Sequence, residues 1–87
     1  MLTEEYLNEV YKRWKATQNG PWKAYLEGRD HTSGSDFIMT GSGENREEDI
    51  ELLGGTKGDY DFIANAKQDI PKLLHEIASL RNIILQE

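Results

Sequence analysis

Cysteine is absent from the 87 residues, which excludes a disulfide framework and any cysteine-ligated zinc site. Long apolar runs are absent too. The N terminus does not resemble a signal peptide, and no stretch approaches the roughly 20 apolar residues that a membrane-spanning helix needs. These absences lead us to expect a soluble, cytoplasmic protein with no membrane partner. Positive charge is scarce: ten Lys and Arg stand against sixteen Asp and Glu, a formal charge of −6. That balance repels phosphate backbones at long range and argues against direct nucleic-acid binding, leaving room only for a local basic pocket.

Acid is concentrated in one place. Glu44, Glu47, Glu48, Asp49 and Glu51 surround Arg46, a pattern that reads either as a solvated loop leading into a strand or as a docking surface for a basic partner. At this length a single small α+β domain over residues 1–87 is expected, with a thin core. Extra burial between copies of the chain is the natural remedy, so a homo-oligomer is expected.

Leu7, Val10, Tyr11 and Trp14 recur on one helical face, so Thr3 to about Ala16 reads as an amphipathic helix. Thr3 suits the N-cap, Glu4 and Glu5 suit the first turn, and Lys12, Arg13 and Lys15 suit the last. Asn19-Gly20-Pro21 stops it. Trp22–Leu26, Asp36–Thr40 and Asp49–Leu53 then read as three short strands of an antiparallel meander, separated by segments rich in Gly, Ser, Asp and Asn. Asp59 is expected to cap a short helix carrying Phe62, Ile63 and Ala66. Asp69 is expected to cap a second, with Pro71 in its first turn. On that long C-terminal helix Ile70, Leu73, Ile77, Leu80 and Ile84 form an amphipathic seam. Its apolar surface exceeds what three strands cover, which makes Leu73, Ile77, Leu80 and Ile84 the expected oligomer interface.

Two segments carry a resemblance. Gly20-Pro21-Trp22 follows the first helix, and Asp59-Tyr60-Asp61-Phe62-Ile63-Ala64-Asn65-Ala66-Lys67-Gln68-Asp69-Ile70-Pro71-Lys72-Leu73-Leu74-His75-Glu76-Ile77 precedes Leu80-Arg81. Together they resemble small phage and prophage proteins that join a helix, a G-P-W strand start and a D-x-x-F-I-A-x-A-[RK]-x-D-[IV]-P-x-L-L-x-E-[IV] ending. The resemblance implies a phage or prophage origin, a place in the host cytoplasm and a small accessory role. It raises the expectation of interference with host defence by a compact oligomer that sequesters a nucleotide-derived signal.

Several side chains are candidates for such a ligand. Trp22, beside a turn, and Tyr25 offer rings for stacking on a base, worth about 1–3 kcal/mol; Trp22 equally suits the core. Arg29 and Lys57 offer local positive charge. Thr56 and Lys57, in the Gly54–Gly58 loop before a helix, offer a hydroxyl and an ammonium for a phosphate, though the order of a Walker A loop is absent and a plain turn competes. Asn65, between two alanines, reads either as a reader of a base edge or ribose or as a solvent-facing amide. His31 and His75 show no metal-ligand spacing, and no nucleophile elbow is present, so neither a metal, a cofactor nor catalysis is expected. Two functions compete: a homo-oligomeric, non-enzymatic binder of a small nucleotide-type molecule, and an acidic inhibitor that mimics nucleic acid on a host defence protein. A structural or regulatory oligomerisation module is a third.

Overall fold

A computed structural model describes residues 1–86. The elements run in the order α1 (Glu4–Lys15), β1 (Trp22–Tyr25), β2 (Phe37–Thr40), a 3-10 turn (Gly43–Asn45) and α2 (Lys57–Arg81), an α+β architecture. Two compact units divide the chain: Met1–Thr17 with Asp69 onward, and Gln18–Gln68. Among the described residues no helix is long and apolar enough to cross a membrane.

In the first unit, α1 begins where Thr3 stands in extended backbone and its hydroxyl accepts the Tyr6 amide at 3.0 Å. Glu4 and Glu5 complement the helix dipole at that end, and Lys12, Arg13 and Lys15 at the other. Leu7, Leu74 and Ala78 are buried. Tyr11 of α1 meets His75 of α2 edge to face, with centroids 5.9 Å apart. The Arg81 guanidinium donates to the Leu2 carbonyl, and the Gln86 amide donates to Asn8 Oδ1 at 2.9 Å. Both ends of this unit are thereby tied down. Asn82, at φ 59°, ends α2: its amide bonds Ser79 O and the Ile83 amide bonds Ala78 O, the two bonds of a Schellman cap.

The second unit is built on an antiparallel pair, β1 with β2, in which Trp22 faces Thr40 and Tyr25 faces Phe37. Side chains alternate across it. Ala24 and Ile38 point into a core shared with Leu26, Tyr60 and Ala64, against which Trp22, Ile50, Leu52 and Ile63 pack. Leu26 and Ile38 are almost wholly removed from water, each worth about 1.5–3 kcal/mol. The buried Tyr60 hydroxyl is satisfied by the Leu52 amide at 2.8 Å.

Three expectations need correction. Among the described residues the sheet has two strands, not three. Asp49–Leu53 contributes a single bridge, in which Ile50 and Ile38 exchange both backbone bonds at 2.8 and 2.9 Å. Two residues before it, the Glu48 carbonyl is taken by the Thr40 hydroxyl, and beyond it the chain turns through Leu52 to Gly55. On the Glu48 side the backbone bond to the Thr40 carbonyl comes from the Glu47 amide, at 2.9 Å, and not from Glu48, so the regular ladder is confined to Ile50. Secondly, the two expected C-terminal helices are one. Asp69 and Pro71 lie inside α2, where the proline gives up the bond to the carbonyl four residues earlier and crowds that carbonyl with its ring. Ile63, Ala66, Ile70, Leu74 and Ile77 hold one helical phase across it, so continuing keeps the apolar face aligned. Thirdly, Asp59 is not the N-cap. Thr56 is, its hydroxyl accepting the Asp59 amide at 3.1 Å while the Asp59 carboxylate accepts the Thr56 amide at 2.9 Å. That is a reciprocal capping box with aspartate in place of glutamate.

Candidate functional site

The β1–β2 connection carries Arg29 and is reached by Lys57, the two cations expected to meet a ligand. It is folded by its own carboxylates. Asp36 accepts the Glu27 amide at 2.7 Å, Asp30 accepts the Leu26 amide at 2.8 Å, and Glu27 accepts the Gly34 amide at 2.7 Å. Asp30 is held below the usual carboxylate range by the Arg29 guanidinium and the Leu26 amide, and Asp36 by the Glu27 amide and Lys57.

The two cations expected to meet a ligand are already engaged there. Arg29 forks onto Asp61 at 2.8 and 3.1 Å and also reaches Asp30. Those carboxylates push its guanidinium further toward the charged form. Lys57 Nζ donates to the Glu27 carbonyl at 3.1 Å and to Asp36 at 3.2 Å. Thr56 is committed to the capping box. The Gly54–Gly58 turn is thus closed by Asp59, which occupies the place where an anion would sit.

The aromatic candidates separate to opposite sides of the sheet. Trp22 packs on the core, its indole N–H shared between the carbonyls of Gln18 and Asn19, with Lys67 Nζ 5.7 Å from its ring centroid. Burial lowers the affinity of Lys67 for its proton, with Glu47 acting in the opposite sense. Tyr25 lies on the other side, stacked on Phe37 at 5.4 Å with the planes 15° apart; Lys23 Nζ stands 5.0 Å from Tyr25, and His31 lies 5.3 Å from Phe37. Asn65 is exposed, its amide donating to the Asp61 carbonyl one turn back.

His31 takes a definite role in the loop. Its Nδ1 accepts the Ser33 amide at 3.1 Å and lies 2.7 Å from the Ser33 hydroxyl, and Glu27 approaches the same nitrogen at 3.4 Å. A serine–histidine–acid relay needs the serine and the acid on opposite ring nitrogens. Here both share one, while the buried Nε2 makes no hydrogen bond among the described residues. The arrangement closes a loop and does not relay a proton.

In the first unit, the expected interface residues divide. Ile77 is half-buried, whereas Leu73 is 59%, Leu80 81% and Ile84 83% exposed. Ile84 lies beyond the end of α2, so the seam leaves the helix before its last member. Asp36, Asp61 and Gln68 were not picked out from the sequence, nor was the ring cluster of Tyr11, Trp14 and His75. A carboxylate in an acidic chain carries no local sign of which cation it will meet. Comparison with family models, with curated proteins and with solved structures gives no match.

Proposed function

We propose that this protein is a phage-type, non-enzymatic accessory protein that self-associates and sequesters a small nucleotide-derived defence signal in the host cytoplasm. The observation that supports it most is the exposure of Leu73, Leu80 and Ile84 together in the first unit. Leu73 and Leu80 are seven residues apart and share a helical face, the repeat that pairs helices. Among the described residues the buried apolar set is eight, so covering these side chains with a second copy adds burial that one chain lacks.

Light scattering on the purified protein tests this reading. An assembly that falls to the monomer mass in Leu80→Glu with Ile84→Glu supports it. A wild-type protein that stays monomeric at every concentration overturns it. The ionic closure of Arg29 and Lys57 directs the search for the ligand away from the hairpin loop.

A second reading is an acidic inhibitor of a host defence protein. Glu44, Glu47, Glu48, Asp49 and Glu51 are all exposed, on one segment that starts within the 3-10 turn and leads out of it. Such a surface draws a basic partner by long-range attraction. Replacing the five by their amides should abolish capture of that partner; unchanged capture excludes this reading.

A further inference from the structure

Charge in this chain is segregated. Residues 10–26 contain no carboxylate, the longest such stretch in a sequence with sixteen acids, and carry Lys12, Arg13, Lys15 and Lys23. The first part of that stretch is the end of α1. Facing it in the same unit is another acid-free segment, residues 70–75, with Lys72 and His75. Where they meet, three rings gather. Tyr11 and Trp14 lie parallel within 5° at 6.0 Å, and His75 meets the Tyr11 ring at 72°. Lys15 Nζ stands 5.7 Å from the Tyr11 centroid. Tyr11 and Trp14 are half-exposed; Lys15, Lys72 and His75 are exposed. Lys72 precedes His75 by three residues on α2, so the two are surface neighbours. By helical spacing of the same kind Asp69 and Glu76 flank Lys72, and the excess of positive charge comes from Lys12, Arg13 and Lys15 of α1.

We propose that Tyr11, Trp14 and His75, flanked by Lys15 and Lys72, form a binding surface for a mononucleotide. The partly exposed rings offer a stacking partner for the base, an interaction indifferent to which base it is. The ammonium groups meet the phosphate, so affinity falls as salt rises. Local positive charge selects a phosphate-bearing planar ligand over a neutral one, against the net negative charge of the chain. The inference rests on the binder reading above and moves its ligand site from the hairpin loop to the α1–α2 rings.

The test is a two-dimensional NMR titration with adenosine 5′-monophosphate, following the Trp14 indole, assigned through Trp14→Phe. Saturable shifts at Trp14 and not at Trp22 are expected, with adenosine alone and inorganic phosphate alone binding more weakly. In Lys15→Glu with Lys72→Glu the affinity should fall at least about tenfold. If that variant does not fold, the exposed Lys72→Ala should still weaken binding several-fold. Absence of Trp14 shifts overturns the proposal, as does equal affinity in a folded charge-reversed variant. So does binding of a single-stranded oligonucleotide where the mononucleotide does not bind. Light scattering on the same samples reads self-association separately, so failure of either claim is distinguishable from failure of the other.

Discussion

The side-chain amide of Gln68 pairs with both backbone groups of Trp22: Oε1 accepts the Trp22 N–H at 2.7 Å and Nε2 donates to the Trp22 carbonyl at 3.1 Å. This reproduces the exchange of two bonds by which a neighbouring strand would pair with β1. Residue 22 is therefore closed to further strand addition. The same Nε2 also donates to the Ala64 carbonyl at 3.0 Å, fixing the amide on α2. We predict that Gln68→Ala costs about 1–3 kcal/mol, because it leaves two part-buried backbone groups without partners. Gln68→Glu keeps the acceptor and loses the donor, so it should retain part of the stability. Urea unfolding followed by tryptophan fluorescence measures both.

Thr40 is fully buried and donates its hydroxyl to the Glu48 carbonyl at 2.9 Å. Thr40→Val keeps the shape and removes the donor, and should destabilise by about 1–3 kcal/mol. Thr40→Ser keeps the donor and loses a methyl group, at about 1 kcal/mol. Valine costing less than serine in the same unfolding assay would contradict the assigned hydrogen bond.

Gly41 follows β2 at φ 72°, and a Cβ there would lie 2.1 Å from the Asn45 carbonyl oxygen. Backbone conformation and backbone clash act together, and neither can be relieved by rotating a side chain. Gly41→Ala should cost about 2 kcal/mol or more. Calorimetry would show it as a lowered Tm; an unchanged Tm would mean that the turn has another path.

The depressed carboxylates give stability a direction with pH. Asp30 and Asp36 hold their protons less tightly in the fold than in the unfolded chain. Their contribution is thus present above the ordinary aspartate value near ~3.9 and is lost as pH falls through the lower folded values. We predict that Asp36→Asn reduces stability at neutral pH and flattens part of the acid unfolding limb. Parallel acid titrations of the two proteins by circular dichroism check this, and identical limbs would contradict it.

What was legible in the sequence was local. The first helix could be read because Thr3, the early glutamates and the late lysines all speak within a few residues of where they act. Trp22–Tyr25 was legible from its alternation and Phe37–Thr40 from a short apolar run, each bounded by turn residues. Asp69 and Pro71 misled because they mimic a helix start, while the apolar phase that carries α2 through them extends well beyond the local signal. Ile50 and Leu52 alternate as a strand would, but a side chain, Thr40, takes the bond that a third strand would have used. For the candidate site, residue types were readable and their partners were not. Arg29 and Lys57 look like ligand cations until Asp61 and Asp36 are placed beside them. The meeting of Tyr11 with His75 joins opposite ends of the chain and leaves no trace in either neighbourhood.

Native mass spectrometry of the protein purified from cells, before and after mild denaturation, tests the central claim most directly. The account predicts an oligomer that carries extra small-molecule mass and releases it when the subunits unfold. A monomer without added mass, at the concentrations where light scattering is also monomeric, would contradict it.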